Sequence, residues 1–352
     1  MKMIRLQKKS FIKRWLCHSG ILVLFCFLGT SAMRAQSFSF PTRTWGISIG
    51  NSPRFAGIRL NYRDSRVEKI SGINVTLWQP RKDNQDAVVQ GISLGLIPGA
   101  GYLRGVQLGV LGVVAERDLK GISIGVLGLG SGGDVGGINI GGLGVGAGGN
   151  MKGINIGLVG AGAGGNLCGI NIGGLGAGAG GDMRGINIGG LGVGAGKNLS
   201  GINIGGLGAG AGENMSGLNI GVFGIGAGQT LTGINIGGFG AGAGEELRGL
   251  TICGIGAGSP SVKGLTIAGL GVGGVEIKGM TLAVGTIRIE DDGYLAGMAV
   301  SGFNHIKGTM KGISIGIINY AFSVKGLQIG LINIVRDNPK HLQVLPVFNT
   351  SF

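Results

Sequence analysis

The chain has 352 residues, of which 82 are glycine; 13% are charged, 5% are aromatic, and the formal net charge is +14. Glycine at this level departs from ordinary globular usage, and no Gly-X-Y triplet runs through it to make collagen. Aliphatic residues recur throughout the glycine-rich stretches, which excludes a disordered low-complexity tract.

Residues 1–35 read as a secretory signal. A basic stretch from Lys2 to Arg14 precedes the apolar run Ile21 to Leu28, and small residues lead to Ala32-Met33-Arg34-Ala35. The apolar run is shorter than the ~20 residues a membrane span needs. Without this segment the chain keeps 23 basic and 16 acidic residues, a net +7. These charges are scattered, and no basic stripe with interleaved aromatics is present, so nucleic acid is not an expected partner.

Residues 36–104 form an N-terminal β region in which GISIG, GIRLNYR, SGINVTLW and GISLGLIPG recur irregularly, with the charged loop Arg81 to Asp86 between two of them. The glycine-rich array follows over residues 105–335. From Gly137 the units GINIGGLGVGAGGNMK, GINIGLVGAGAGGNLC, GINIGGLGAGAGGDMR and their successors keep a period of 16 through the unit at Gly233. Weaker units open at Gly105 and Gly121, and later ones at Gly249, Gly264, Gly279, Gly297, Gly312 and Gly326. Such a period marks a repeat architecture. Residues 336–352 read as a closing strand.

Within a unit, Ile138 and Ile140 are two apart, as are Leu143, Val145 and Ala147, a strand periodicity that places each set on one face. The step of three between Ile140 and Leu143, filled by Gly141-Gly142, marks a corner or bulge. These aliphatic residues are expected to point inward, together with the column Met151, Leu167, Met183, Leu199, Met215, Leu231 and Leu247. The expected fold is an all-β solenoid of ~16-residue coils, each stacked on the next. Twelve coils opening at Gly105 through Gly279 would make a rod of roughly 58 Å at the strand spacing. The alternative is an up-and-down outer-membrane β-barrel. The terminal Phe352 on an alternating strand favours it, and so does the room in 16 residues for a spanning strand and a turn. A barrel, however, has a natural repeat of two strands.

No catalytic, cofactor-binding or metal site is expected. The recurrent GxGxxG matches lack a following helix, and Gly196-Lys197-Asn198 is not a P-loop. Single aspartates at Asp134 and Asp182 do not make a calcium-binding carboxylate column. Glu245, Glu246, Glu290, Asp291 and Asp292 read as turn charges, and His305 and His341 as lone surface histidines. Cys168 and Cys253 read as free thiols. Asn139, Asn155, Asn171, Asn187, Asn203, Asn219 and Asn235, continued by Thr251, Thr266 and Thr281, are expected to form an outward ladder of stacked amides. A functional alternative for that column is a ligand-facing or ice-facing array. The outward glycines Gly144, Gly146 and Gly148 and their equivalents leave a bare backbone face suited to self-association or close packing on a surface.

The segments KGINIG and KGISIGIINYAFSVKGLQIGLINIV and the ending LPVFNTSF resemble the glycine-rich surface-repeat proteins of Gram-negative bacteria, over Gly46 to Phe352. The resemblance implies export to the cell surface or outer membrane, with components of that surface as partners, and carries no catalytic residue. The expected function is that of a non-catalytic, structural or adhesive surface protein; the alternative is an outer-membrane channel or scaffold.

Overall fold

The computed structural model describes residues 37–351, with Asp291 described by its backbone only. The signal-like segment, Cys17, Cys26 and Phe352 lie outside the described residues. The chain is a β-solenoid of coils about 16 residues long. A regular coil has a seven-residue strand (Met151–Gly157), a two-residue bend, a four-residue strand (Gly160–Ala163) and a three-residue bend. Each strand pairs in parallel with its equivalent one coil away, so Asn155 lies beside Asn139 and Asn171, and Val145 beside Ala161. An up-and-down barrel needs antiparallel neighbours; coil-to-coil pairing here is parallel, which removes that alternative.

The glycine that opens each unit makes the stacking possible. Among the described residues twenty glycines have positive φ, and all except Gly50 fall in one column from Gly46 to Gly326. A Cβ built on Gly185 would sit 2.1 Å from the carbonyl oxygen of Gly169, with φ at +114°. Both conditions exclude an L side chain. The irregular units before Gly105 belong to the same column: Gly46, Gly57, Gly72, Gly91 and Gly105 stand in register. The loop around Arg81 to Asp86 is accommodated between coils, with a short 3-10 turn at Lys82–Asn84. The column is therefore longer than the array read from sequence, and its 19 rungs span roughly 85–90 Å at the strand spacing.

The interior differs from expectation. Met151, Leu167, Met183, Met215 and Leu231 are fully buried, as expected for the short third side, and Val145 and Ala147 are buried from the four-residue strand. The isoleucines point outward instead, and the asparagines between them point in: Asn139 through Asn235 have no exposed surface. Leu143 is outward as well, 58% exposed. The reason is parity. Alternation from the inward Met151 sends Lys152 out, Ile154 out, Asn155 in and Ile156 out. The bend after Gly157 preserves this parity, so the inward Ala161 shares a side with Met151 and Asn155, and Ile154 and Ile156 do not. A polar column can occupy the interior because stacked amides satisfy one another.

Antiparallel strands close both ends. Phe38–Pro41 pairs with Trp45–Ile49, and Val344–Asn349 pairs with the last coil, setting Phe348 beside Ile329.

We expect Gly185→Ala to lower stability by about 3 kcal/mol or more, because it combines a disallowed φ with a backbone clash. Gly178→Ala, whose Cβ would meet nothing nearer than 3.7 Å, should cost no more than about 0.5 kcal/mol. Denaturant midpoints of the two variants check the contrast.

Candidate functional site: an inside-out β-face

The side of the rod built from the segment Gly-Ile-Asn-Ile-Gly carries the most regular chemistry, inside and out. Inside is an amide ladder. Asn139 Nδ2 donates to Asn155 Oδ1, and the pattern repeats through Asn171, Asn187, Asn203 and Asn219 to Asn235 at 2.8–2.9 Å. Asn235 donates to Thr251 Oγ1 at 3.4 Å. This column is sealed from solvent, so it cannot face ice or a ligand. Toward the N-terminus it continues as Ser123, Gln107, Ser93, Asn74 and Arg59, all buried. Arg59 pairs with buried Asp64 at 2.6 Å and donates to Asn74 Oδ1 at 2.8 Å and Asn51 Oδ1 at 2.9 Å. These bonds compensate two charges removed from water.

Outside, the same segment presents two columns of aliphatic side chains. In the regular coils Ile138, Ile170, Ile186, Ile202 and Ile234 are 36–46% exposed, and the second column runs through Ile140, Ile156, Ile172 and Ile188. Register carries both columns upstream to Ile47 and Ile49, and downstream to Met280 and Leu282 and then Met298 and Val300. The asparagine between each pair points inward, so no polar side chain interrupts them. Around the next bend lies a third apolar column, Leu143, Val159, Leu175, Leu191, Leu207, Phe223 and Phe239, also exposed. Phe223 and Phe239 meet edge-to-face with centroids 4.9 Å apart.

On the other margin, one residue before the column glycine in many of the coils, stand Arg104, Lys120, Lys152, Arg184, Arg248, Lys263 and Lys278. Several are paired with carboxylates: Lys120 with Asp118, Arg184 with Asp182, and Lys263 and Arg248 with Glu246. Hydrogen bonds hold two of these acids below the usual carboxylate range, from Asn198 in the case of Asp182 and from Lys263 in the case of Glu246. Glu246 and Glu290 lie on strands, not in turns as expected, and Glu290 pairs with Arg288 and Lys307.

Sequence reading missed a second polar column, at the three-residue bend. Asp134, Asn150, Asn166, Asp182 and Asn198 each accept, through a side-chain oxygen, a hydrogen bond from the next coil. The recurrence of Asn or Asp three residues before the column glycine was the available signal.

The bare glycine face is only partly as expected. Gly144 and Gly146 face outward, and a Cβ at Gly146 would meet nothing within 4 Å. Gly148 is different: a Cβ there would lie 2.2 Å from the Gly132 carbonyl oxygen, so this glycine serves the bend. His341 is exposed. His305 is not isolated but stacks on Phe303 at 5.4 Å and meets Tyr320 at 5.1 Å, and burial is the main cause holding its pKa below the ordinary value. Among the described residues no group of three or more His, Cys, Asp or Glu could hold a metal ion. No described helix is long and apolar enough to cross a membrane. Comparison with protein-family models, curated proteins and solved structures returned no match.

Two outcomes follow for the buried columns. Asn187→Ala removes two ladder bonds and strands the Asn171 amide and the Asn203 carbonyl, so stability should fall by about 2–4 kcal/mol. Asn187→Thr should cost less, because threonine already fills this column at Thr251 and Thr266; denaturant midpoints read both. Cys253 is buried, and burial raises its thiol pKa to about 11, whereas Cys168 is partly exposed. Alkylation of the native full chain at neutral pH, mapped by mass spectrometry, should modify Cys168 and spare Cys253 until the protein is denatured.

Proposed function

We propose that the chain is a non-catalytic, exported structural rod of a Gram-negative cell surface, whose working feature is its aliphatic outer face. The observation that carries this reading is the pairing of a self-satisfied polar interior with two uninterrupted outward aliphatic columns. Ordinary folding puts those residues the other way round, because apolar burial drives it. Here the column glycines, the bend residues and the amide ladder supply the coil-to-coil contacts, while the isoleucines remain available at the surface. Such an arrangement suits a rigid element that associates laterally over its whole length, not one that encloses a substrate. The signal-like character of residues 1–35 and the resemblance to surface-repeat proteins supply the location.

Biotinylation of intact cells with a membrane-impermeant amine reagent tests the location. Lys152, which stands exposed at the margin of the apolar face, should be modified on intact cells to about the extent seen after lysis, within a factor of two. Deleting residues 1–35 should abolish labelling of intact cells. Labelling that requires lysis would overturn the surface assignment.

A further inference from the structure

The aliphatic face raises the question of what covers it. Its two columns run beside all 19 glycines of the stack, giving a length of roughly 85–90 Å at the strand spacing. Two side-chain columns on alternate positions of one strand are about 10 Å wide with their methyl groups. The footprint is therefore about 850 Å². This exceeds the ~300–600 Å² of the largest apolar patch on a typical monomer and matches the ~800 Å² that each partner contributes to a stable protein interface.

Three further observations select the occupant. First, the face is complementary to itself. Its rungs repeat the same residue at the same spacing, so a second copy presents an identical ridge for every groove. A lipid surface makes no demand for rung-by-rung identity. Second, the residues are chiefly isoleucine, whose β-branched side chain has little χ1 freedom to lose on burial. Interfacial membrane binding favours aromatic residues. Within the two columns no aromatic occurs, and aromatics flank them at the ends, where Phe38 and Phe40 pair with Ile49 and Ile47, and Phe348 with Ile329, and in the adjoining column at Phe223 and Phe239. Third, no charge lies within the two columns; charged and polar residues stand at the margin before the column glycines, while the other margin continues into the exposed apolar column of Leu143 to Phe239. An uncharged apolar centre bounded by charged residues along one margin fits the anatomy of a protein–protein interface.

We infer that this face is the interface of a homodimer, in which two rods pack their isoleucine ladders against each other as two facing β-sheets. The inference rests on the reading of the chain as a laterally associating rod and names its partner as a second copy. Isologous pairing covers the same patch on both copies and leaves neither ladder exposed.

The test is sedimentation of the full chain in detergent-free buffer across the micromolar range, beside two variants. Ile170→Lys, Ile186→Lys and Ile202→Lys together place like charges at the centre of the face. Ile170→Thr, Ile186→Thr and Ile202→Thr keep β-branching, and so strand propensity, while removing apolar surface. The natural chain should sediment as a dimer. The lysine variant should be monomeric and the threonine variant weakened about 100-fold or more, both with unchanged β circular dichroism. Gly178→Ser with Gly194→Ser, on the neighbouring side, should leave the dimer intact. If the lysine variant fails to fold, the threonine variant decides. A monomeric natural chain overturns the proposal, as does a threonine variant that dimerises as well as its parent. So does dissociation by the glycine variant alone, which would move the interface to the glycine side. A monomer that floats with phosphatidylethanolamine–phosphatidylglycerol vesicles, and loses this in the lysine variant, replaces the second copy with a membrane surface. Each of these results leaves the cell-surface assignment standing, since that depends on labelling of intact cells.

Discussion

The close approach of each column glycine to the carbonyl of the coil before it governs the rest of the molecule. From Gly57 onward the position of a missing Cβ is occupied by the carbonyl oxygen of the preceding glycine, at 1.9–2.3 Å. The backbone turns there with positive φ, which converts one long strand into two sides of the coil. Because this contact recurs on every rung, neighbouring coils are held in register even where their lengths differ. The step from Gly57 to Gly72 is 15 residues and that from Gly72 to Gly91 is 19, yet these glycines are paired directly. The extra residues of the longer coil go into the loop around Lys82–Asn84, away from the column. Length variation is thus absorbed at the bends, while the corner stays fixed.

Register in turn allows the polar interior. A single buried asparagine would cost free energy through unmade hydrogen bonds. Stacked at strand spacing, each amide donates to the next coil and accepts from the previous one, and the cost falls on the ends of the ladder. At one end Thr251 takes over from Asn235, with Thr266 and Thr281 following it in register. At the other, shorter hydroxyls and Gln107 lead to the buried Arg59–Asp64 pair. The small cross-section left by Val145, Ala147 and Met151 is filled without the isoleucines, which frees them for the outside.

Periodicity made the coil length, the corner after Ile140 and the inward Met/Leu column legible. The direction of the Ile and Asn columns was not legible, because hydrophobic alternation defines two faces but does not say which is interior. The usual rule assigns the apolar set to the core, and here it fails, since Asn155 and its equivalents find partners only by stacking, a property of the array and not of one unit. The same limit hid the bend column of Asn150, Asn166 and Asp182, whose hydrogen bonds also run between coils. Gly146 and Gly148 look alike in sequence, yet one faces open space and the other abuts a carbonyl. Only the coil-to-coil geometry separates them. The candidate face was therefore visible as a pattern, while its exposure was visible only in three dimensions.

A solenoid with one greasy side has two ways to associate, along its axis or across it, and the ends of this chain discourage the first. An open terminal coil offers unpaired backbone groups that would template further coils. The N-terminal rung is instead covered by the antiparallel strand Phe38–Pro41, and the Phe40 carbonyl and Pro41 ring occupy the space over Gly46 that a preceding coil would fill. At the far end the carbonyl of Gly326, the last of the column, accepts a hydrogen bond from Thr350 Oγ1 at 2.7 Å. The strand Val344–Asn349 lies antiparallel beyond the final coil. Pro41 and Pro346 lack the N–H that an added strand would require. With both ends of the stack occupied by antiparallel segments, a parallel coil from another molecule finds no glycine to stack on. Axial growth is thereby opposed by geometry and by missing donors, whereas the isoleucine side has neither obstacle, so the fold directs association sideways.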